Sequence, residues 1–235
     1  MHDFRLVRSL RHSLSISIQS DGSVLVRSPY GLSRSYIERF VESKHVWIDK
    51  SLEKWKIAKA NSTHNDIGIG SSCKLEGQDY PLVAASVARA AFDGQHLLLP
   101  LRVQAESQAL PPSELSCRIR EELSGLYRQR ARQVLPAMTA EIAAQHHLRY
   151  SGPSITQART RWGSCNARNH LNFSWRLMMA DPECIRYVVC HELAHTVHHN
   201  HSEQFWQLVG QLYPDYLSAR QRLRHLGKEL VATGW

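Results

Sequence analysis

Val189-Cys190-His191-Glu192-Leu193-Ala194-His195 carries the pattern HExxH. Residues four apart on an α-helix point the same way, so the imidazoles of His191 and His195 can share one ion. Imidazole nitrogen suits zinc, which accepts three protein ligands and keeps a position for water. A carboxylate beside that water, here Glu192, can take its proton and pass it to a leaving group. The pattern decides the fold only in context. Asp181-Pro182 is a helix start, with Asp as N-cap and Pro at the first helical position. Val188, Val189 and Leu193 bury the predicted helix on more than one side. A solvated helix with two surface histidines would not carry those apolar residues.

A third ligand is sought among His198, His199 and His201. His198 is three residues after His195, but a turn beyond the ion. His201 completes the spacing H-x3-H-x5-H used by metzincins and is the favoured candidate. In that pattern a glycine lets the chain turn back. Here His198 holds the glycine's place, so Asn200 at positive φ is expected to make the turn.

Working outward, Leu171, Phe173, Trp175 and Leu177 alternate with Asn172, Ser174 and Arg176, a half-buried strand just before the helix. Its polar side is a candidate for pairing with an extended peptide. The run Arg161-Trp162-Gly163-Ser164-Cys165 precedes it. Gly163 allows a close approach of backbone to the site, and the planar fork of Arg161 suits a substrate carboxylate or phosphate. Arg161, Trp162 and Asn172 are therefore candidate substrate-binding residues, though Trp162 in the core and Arg161 paired with an acid would serve structure alone. Ser202 can cap a following helix with Phe205, Trp206, Leu208, Val209 and Leu212 inward, and Pro214-Asp215 starts a last one. Arg220, Arg222, Arg224 and His225 read as its solvated face.

Upstream, Leu14, Ile16 and Ile18 alternate with polar residues, and Asp21-Gly22 leads to Val24–Val26, a β-hairpin signature. Residues 33–60 read as helical, 70–103 as β-rich with a second turn at Asp93-Gly94. Leu115, Ile119, Leu123 and Leu126 fit one helix face, and Pro136 is expected to open a separate helix. The stretch Ala109-Leu110-Pro111-Pro112-Ser113 reads as a boundary, giving a β-rich N-terminal region over 1–110 and a second domain over 111–235. The expected fold class is α+β: a β-rich N-terminal region with a helical hairpin, then a zincin-like minimal domain.

Composition bounds the partners. The 235 residues are 43% hydrophobic and 21% charged, with a net charge of +8 and a pI near 9.4. That basic excess favours acidic partners, nucleic acid or nucleotides among them. Arg5, Arg8, Arg11, Lys44, Lys50, Lys54, Lys56 and Lys59 interleave with Tyr36, Trp47 and Trp55, but helical periodicity places these aromatics on the apolar stripe, hence in the core. No run of about 18 apolar residues appears, so no membrane partner is expected. The N-terminal residues lack the apolar core of a signal peptide. Five cysteines with no CxxC pair argue for a reducing compartment, the cytoplasm by default.

Together, Thr160-Arg161-Trp162-Gly163-Ser164-Cys165, Leu171-Asn172, Tyr187-Val188-Val189 before HELAH, Asn200-His201-Ser202 and Phe205-Trp206 resemble the YgjP-like metallopeptidase family of metal-dependent hydrolases, and more distantly the WLM and SprT-like proteases. The strong part spans roughly 155–226. Arg27-Ser28-Pro29 and Trp47-Ile48 are similar too. The resemblance implies one zinc ion on His191, His195 and His201, with Glu192 catalytic. Cys190 departs from the aliphatic or small residue usual there and serves as a small hydrophobe. The leading expectation is a zinc peptidase acting on peptide or protein. The alternatives are hydrolysis of a nucleoside triphosphate and a DNA-associated protease or binding module of SprT-like logic.

Overall fold

The computed structural model describes residues 3–10, 13–19, 21–62 and 66–235, with 57–62 as backbone only. Its elements run β1 (Arg5–Ser9), β2 (Ser15–Ile18), β3 (Val24–Pro29), α1 (Arg34–Ser43), α2 (His45–Ser62), β4 (Ser72–Leu75), β5 (Gln78–Ala85), β6 (Ala91–Phe92), β7 (Leu97–Pro100), α3 (Leu101–Glu106), α4 (Pro112–Gln145), β8 (Ser151–Thr156), β9 (Gly163–Cys165), β10 (His170–Ser174), α5 (Pro182–Ala194), α6 (Glu203–Leu212) and α7 (Tyr216–Ala232). A 3₁₀ turn, Trp175–Met179, joins β10 to α5. The fold class is α+β, as expected.

The chain divides into two units, Met1–His64 and Asn65–Trp235. In the first, β2 and β3 form the predicted antiparallel hairpin and β1 joins β3 in parallel, giving the order β1-β3-β2. Gly22 at the turn has φ +86°, and a Cβ there would meet the Trp55 ring at 2.6 Å, so only glycine fits. Val24 and Val26 pack on Ile37, Val41 and Ile48. Tyr36 and Trp47 are 49% and 48% exposed, which corrects their placement in the core. Each lies one residue from a buried Ile, about 100° around the helix, and the small sheet covers only one stripe. Both lie on the surface, as do Lys44 and Lys50. Arg11 and the side chain of Lys59 fall outside the described residues.

The boundary at 64/65 replaces the one expected near 110. The segment before Pro111 belongs to the core beneath α5. Leu75, Leu82, Leu97 and Leu99 share one buried cluster with Ile119, Leu123, Tyr127 and Val189. Polar ties follow the same path. Ser116 Oγ accepts from Ile67 N (2.7 Å) and the Tyr127 hydroxyl donates to Lys74 O (2.7 Å). Glu76 N donates to Met178 O (2.7 Å). The proline pair opens α4, with Pro112 in its first turn, instead of ending a domain.

Pro136 does not start a helix. It lies inside α4, a single helix of 34 residues. Leu115, Ile119, Leu123, Tyr127, Ala131, Leu135 and Thr139, each four after the last, are buried. That unbroken stripe outweighs the one hydrogen bond a proline removes. Strand β10 is also shorter than expected. After Ser174 the chain turns into 3₁₀, and Ser174 and Arg176 are buried. The Arg176 guanidinium lies over the Trp175 ring (4.2 Å) and donates to Gln157 O (3.1 Å). The five cysteines are free thiols, and among the described residues no helix is long and apolar enough to cross a membrane.

Candidate metal centre

Asp181 Oδ1 accepts from Cys184 N (2.9 Å) and Pro182 follows at the start of α5, the predicted cap. Ile185, Val188, Val189 and Leu193 are buried, so the helix passes through the core and holds its histidines rigidly. After His195 the chain tightens instead of extending. Val197 N (3.1 Å) and His198 N (3.0 Å) both donate to Ala194 O. These bonds make the turn expected of Asn200, which is not among the residues at positive φ. The Asn169 amide of the β9–β10 turn donates to Thr196 O (3.2 Å) and pins it. Ser202 then caps α6, accepting from Phe205 N (3.4 Å), and His201 sits just before that cap.

The result brings His191, His195 and His201 together, with one ring nitrogen from each within 4.8 Å of the others. His198 and His199 are not in that group. The Nε2 atoms of His191 and His201 are 3.3 Å apart. Two nitrogens each about 2.0–2.1 Å from a tetrahedral ion lie about 3.3 Å apart, so the spacing fits a shared cation. In two of the three rings the other nitrogen is engaged. His195 Nδ1 faces His198 O at 3.0 Å, and His191 Nδ1 faces the Tyr187 hydroxyl at 3.5 Å. Such bonds fix the tautomer that leaves Nε2 free. Burial and the neighbouring imidazoles bring His191 down to about 3, so it is neutral, the form that ligates. Phe205 packs on all three rings, 4.3 Å from His195, and Trp206 stacks on His201 (5.6 Å).

Glu192 is 5% exposed, and its Oε2 has no hydrogen-bond partner among the described residues. Burial pushes its carboxyl up to about 8, against the pull of the Arg161 charge. A cation on the histidines would draw that value down again. A Cβ at Gly163 would come 2.6 Å from Glu192 Cγ and Oε1. Gly163 thus supplies the close approach its sequence position suggested.

Arg161, Trp162 and Gly163 line a cavity of about 310 Å³ beside His191 and Glu192. Asn172 does not line it. It lies on β10, the central strand of the order β8-β10-β9. Both edges of β10 are taken, so it cannot pair with a peptide. The edge of this sheet nearest Glu192 is β9, which begins at Gly163. Burial raises the Cys165 thiol to about 11, with the Glu192 charge adding to it, so it is no ready nucleophile. Tyr187, Arg220 and Arg224 also line the cavity, and sequence reasoning missed them. Tyr187 carried a signal, four residues before His191 on the same face. The arginines carried none, because their helix meets the cleft only through tertiary packing.

Three imidazoles with one nitrogen each turned to a common point, beside a buried unpartnered carboxylate, define a metal-dependent hydrolase of peptidase type. The chain belongs to the YgjP-like, metallopeptidase domain family, whose model matches residues 12–226. Searches of curated proteins and of solved structures return no significant match.

Proposed function

We propose that this chain is a zinc peptidase in which His191, His195 and His201 hold one ion and Glu192 moves the proton. The observation that carries the reading is the 3.3 Å approach of two imidazole nitrogens beside the buried, unpartnered Glu192. Zinc bound there would polarise the scissile carbonyl and lower the pKa of water. Glu192 takes the proton of the attacking water on a carboxylate oxygen and delivers it to the leaving amide nitrogen. The neutral His191 accepts the cation without releasing a proton. Phe205 and Trp206 pack against the rings and leave His191 and His195 half-buried, which strengthens charge interactions there. An extended peptide would lie along the free edge of β9, with Arg161 and Trp162 at the cavity. Free thiols suit a reducing compartment, and we place the protein in the cytoplasm.

The test is to load the protein with zinc, add an unfolded protein substrate and follow fragments by mass spectrometry. Peptide release that vanishes in Glu192→Gln, together with loss of stoichiometric zinc in His201→Ala, is expected. Release that persists in Glu192→Gln, or no release at all, would overturn the reading. A nucleoside triphosphate in the same tube tests the phosphate-hydrolase alternative.

A further inference from the structure

The cavity beside the histidines has an unbalanced lining. Its floor includes Tyr187, Val188 and Leu223, and its rim carries Arg161, Arg220 and Arg224. Glu192 is its sole carboxylate. Among the described residues none of these three arginines is in an ion pair, although Arg102, Arg118, Arg130 and Arg186 each have an acidic partner. The contrast is sharpest along α7. Arg222 points away from the cavity and pairs with Glu183 (2.7 Å) and Asp181 (3.6 Å). Tyr216, Arg220 and Arg224 follow at intervals of four and share the other face. That face is also held in place. The Arg220 guanidinium sits 5.0 Å from the Trp206 ring, which stacks between Tyr216 (5.5 Å) and His201 (5.6 Å). Arg220 is thereby held one ring, that of Trp206, from the candidate metal ligand His201.

Unpaired guanidinium groups around a partly apolar cavity repel one another and attract an anion. A planar fork takes a carboxylate through two hydrogen bonds. We infer that this cleft selects its peptide substrate by a carboxylate close to the scissile bond, held by Arg161, Arg220 and Arg224. The inference rests on the peptidase reading and adds a substrate class to it. The carboxylate comes from an Asp or Glu side chain or from the free C-terminus of the peptide. The cleft favours the charged peptide over its neutral isostere by about tenfold, the sum of several partly exposed pairs. Salt weakens the preference, since the rim is open to solvent.

The experiment uses the zinc-loaded full chain and matched peptides, Glu against Gln at each position flanking the cleaved bond, each with a free or amidated C-terminus. The readout is the ratio of kcat/KM within each pair, so a general loss of activity in a variant cancels. A ratio near ten that collapses towards one in Arg220→Gln/Arg224→Gln, and in 0.5 M salt, is the expected result. If the ratio follows the side chain, the source is Asp or Glu; if it follows the C-terminus, it is the terminal carboxylate. Arg224→Glu alone, on an exposed residue, should weaken the preference without abolishing it, since Arg161 and Arg220 remain at the cavity. Equal cleavage of Glu and Gln peptides, free and amidated, would overturn the inference and leave the peptidase standing. Cleavage of no peptide would overturn both, and hydrolysis of a nucleoside triphosphate in its place would reassign the arginines to phosphate.

Discussion

Glu192 sits where Gly163 leaves room for it, and the two residues form one device. A methyl group at 163 would lie 2.6 Å from the carboxylate arm and must displace it. Gly163→Ala should therefore lower kcat by about a hundredfold, the cost of a displacement near 1 Å at a reacting group. Circular dichroism and the melting temperature should change little, since alanine fits a strand. The thiols give a second check at this scale. Burial raises Cys73, Cys165 and Cys190 to about 11 and Cys184 to about 12. A raised thiol pKa means less thiolate, so at pH 8 these four react slowly. Cys117 is exposed. A colorimetric thiol reagent should titrate one thiol per native chain quickly and five after unfolding; two or more fast thiols would contradict the raised thiol values.

Among the elements, α5 depends on the residue that caps it. Asp181 caps the helix through Cys184 N and also lies 3.6 Å from Arg222. Asp181→Ala should destabilise the protein by about 1 kcal/mol, the usual cost of losing such a cap, read as a shifted urea midpoint. The cap was legible because Asp-Pro before an apolar run has a local cause. The 34-residue span of α4 was not. Pro136 is a helix-start signal by local rules, and only the unbroken buried stripe against the sheets overrides it. Strand β10 shows the same limit. Alternation revealed a strand, but not that both of its edges are taken and that β9 faces the site.

At the scale of the molecule the two units have separate cores, one around Val26 and Ile37, the other around Leu123 and Val189. Residues 65–235 expressed alone should fold with one cooperative thermal transition. Zinc at a hundred times its dissociation constant should stabilise that fragment by about 2.7 kcal/mol, and a chelator should reverse the gain. Calorimetry with and without zinc checks both statements. A fragment that melts without cooperativity would show that 1–64 is needed for the fold.

Sequence by itself pointed to the candidate site, the HExxH pair with Glu192 and a third histidine, and determined the helix cap and the hairpins. Each depends on residues within a turn or two of one another, where spacing along the chain fixes spacing in space. Tertiary structure decided what spacing cannot reach. It moved the boundary from 110 to 64/65 because strands β4–β7 share the core of α4 and α5. It closed the histidine turn with backbone bonds to Ala194, and it brought two arginines of α7 to the rim beside Glu192. Those residues are close only because apolar faces far apart in sequence exclude water together, and no local pattern records which faces will meet.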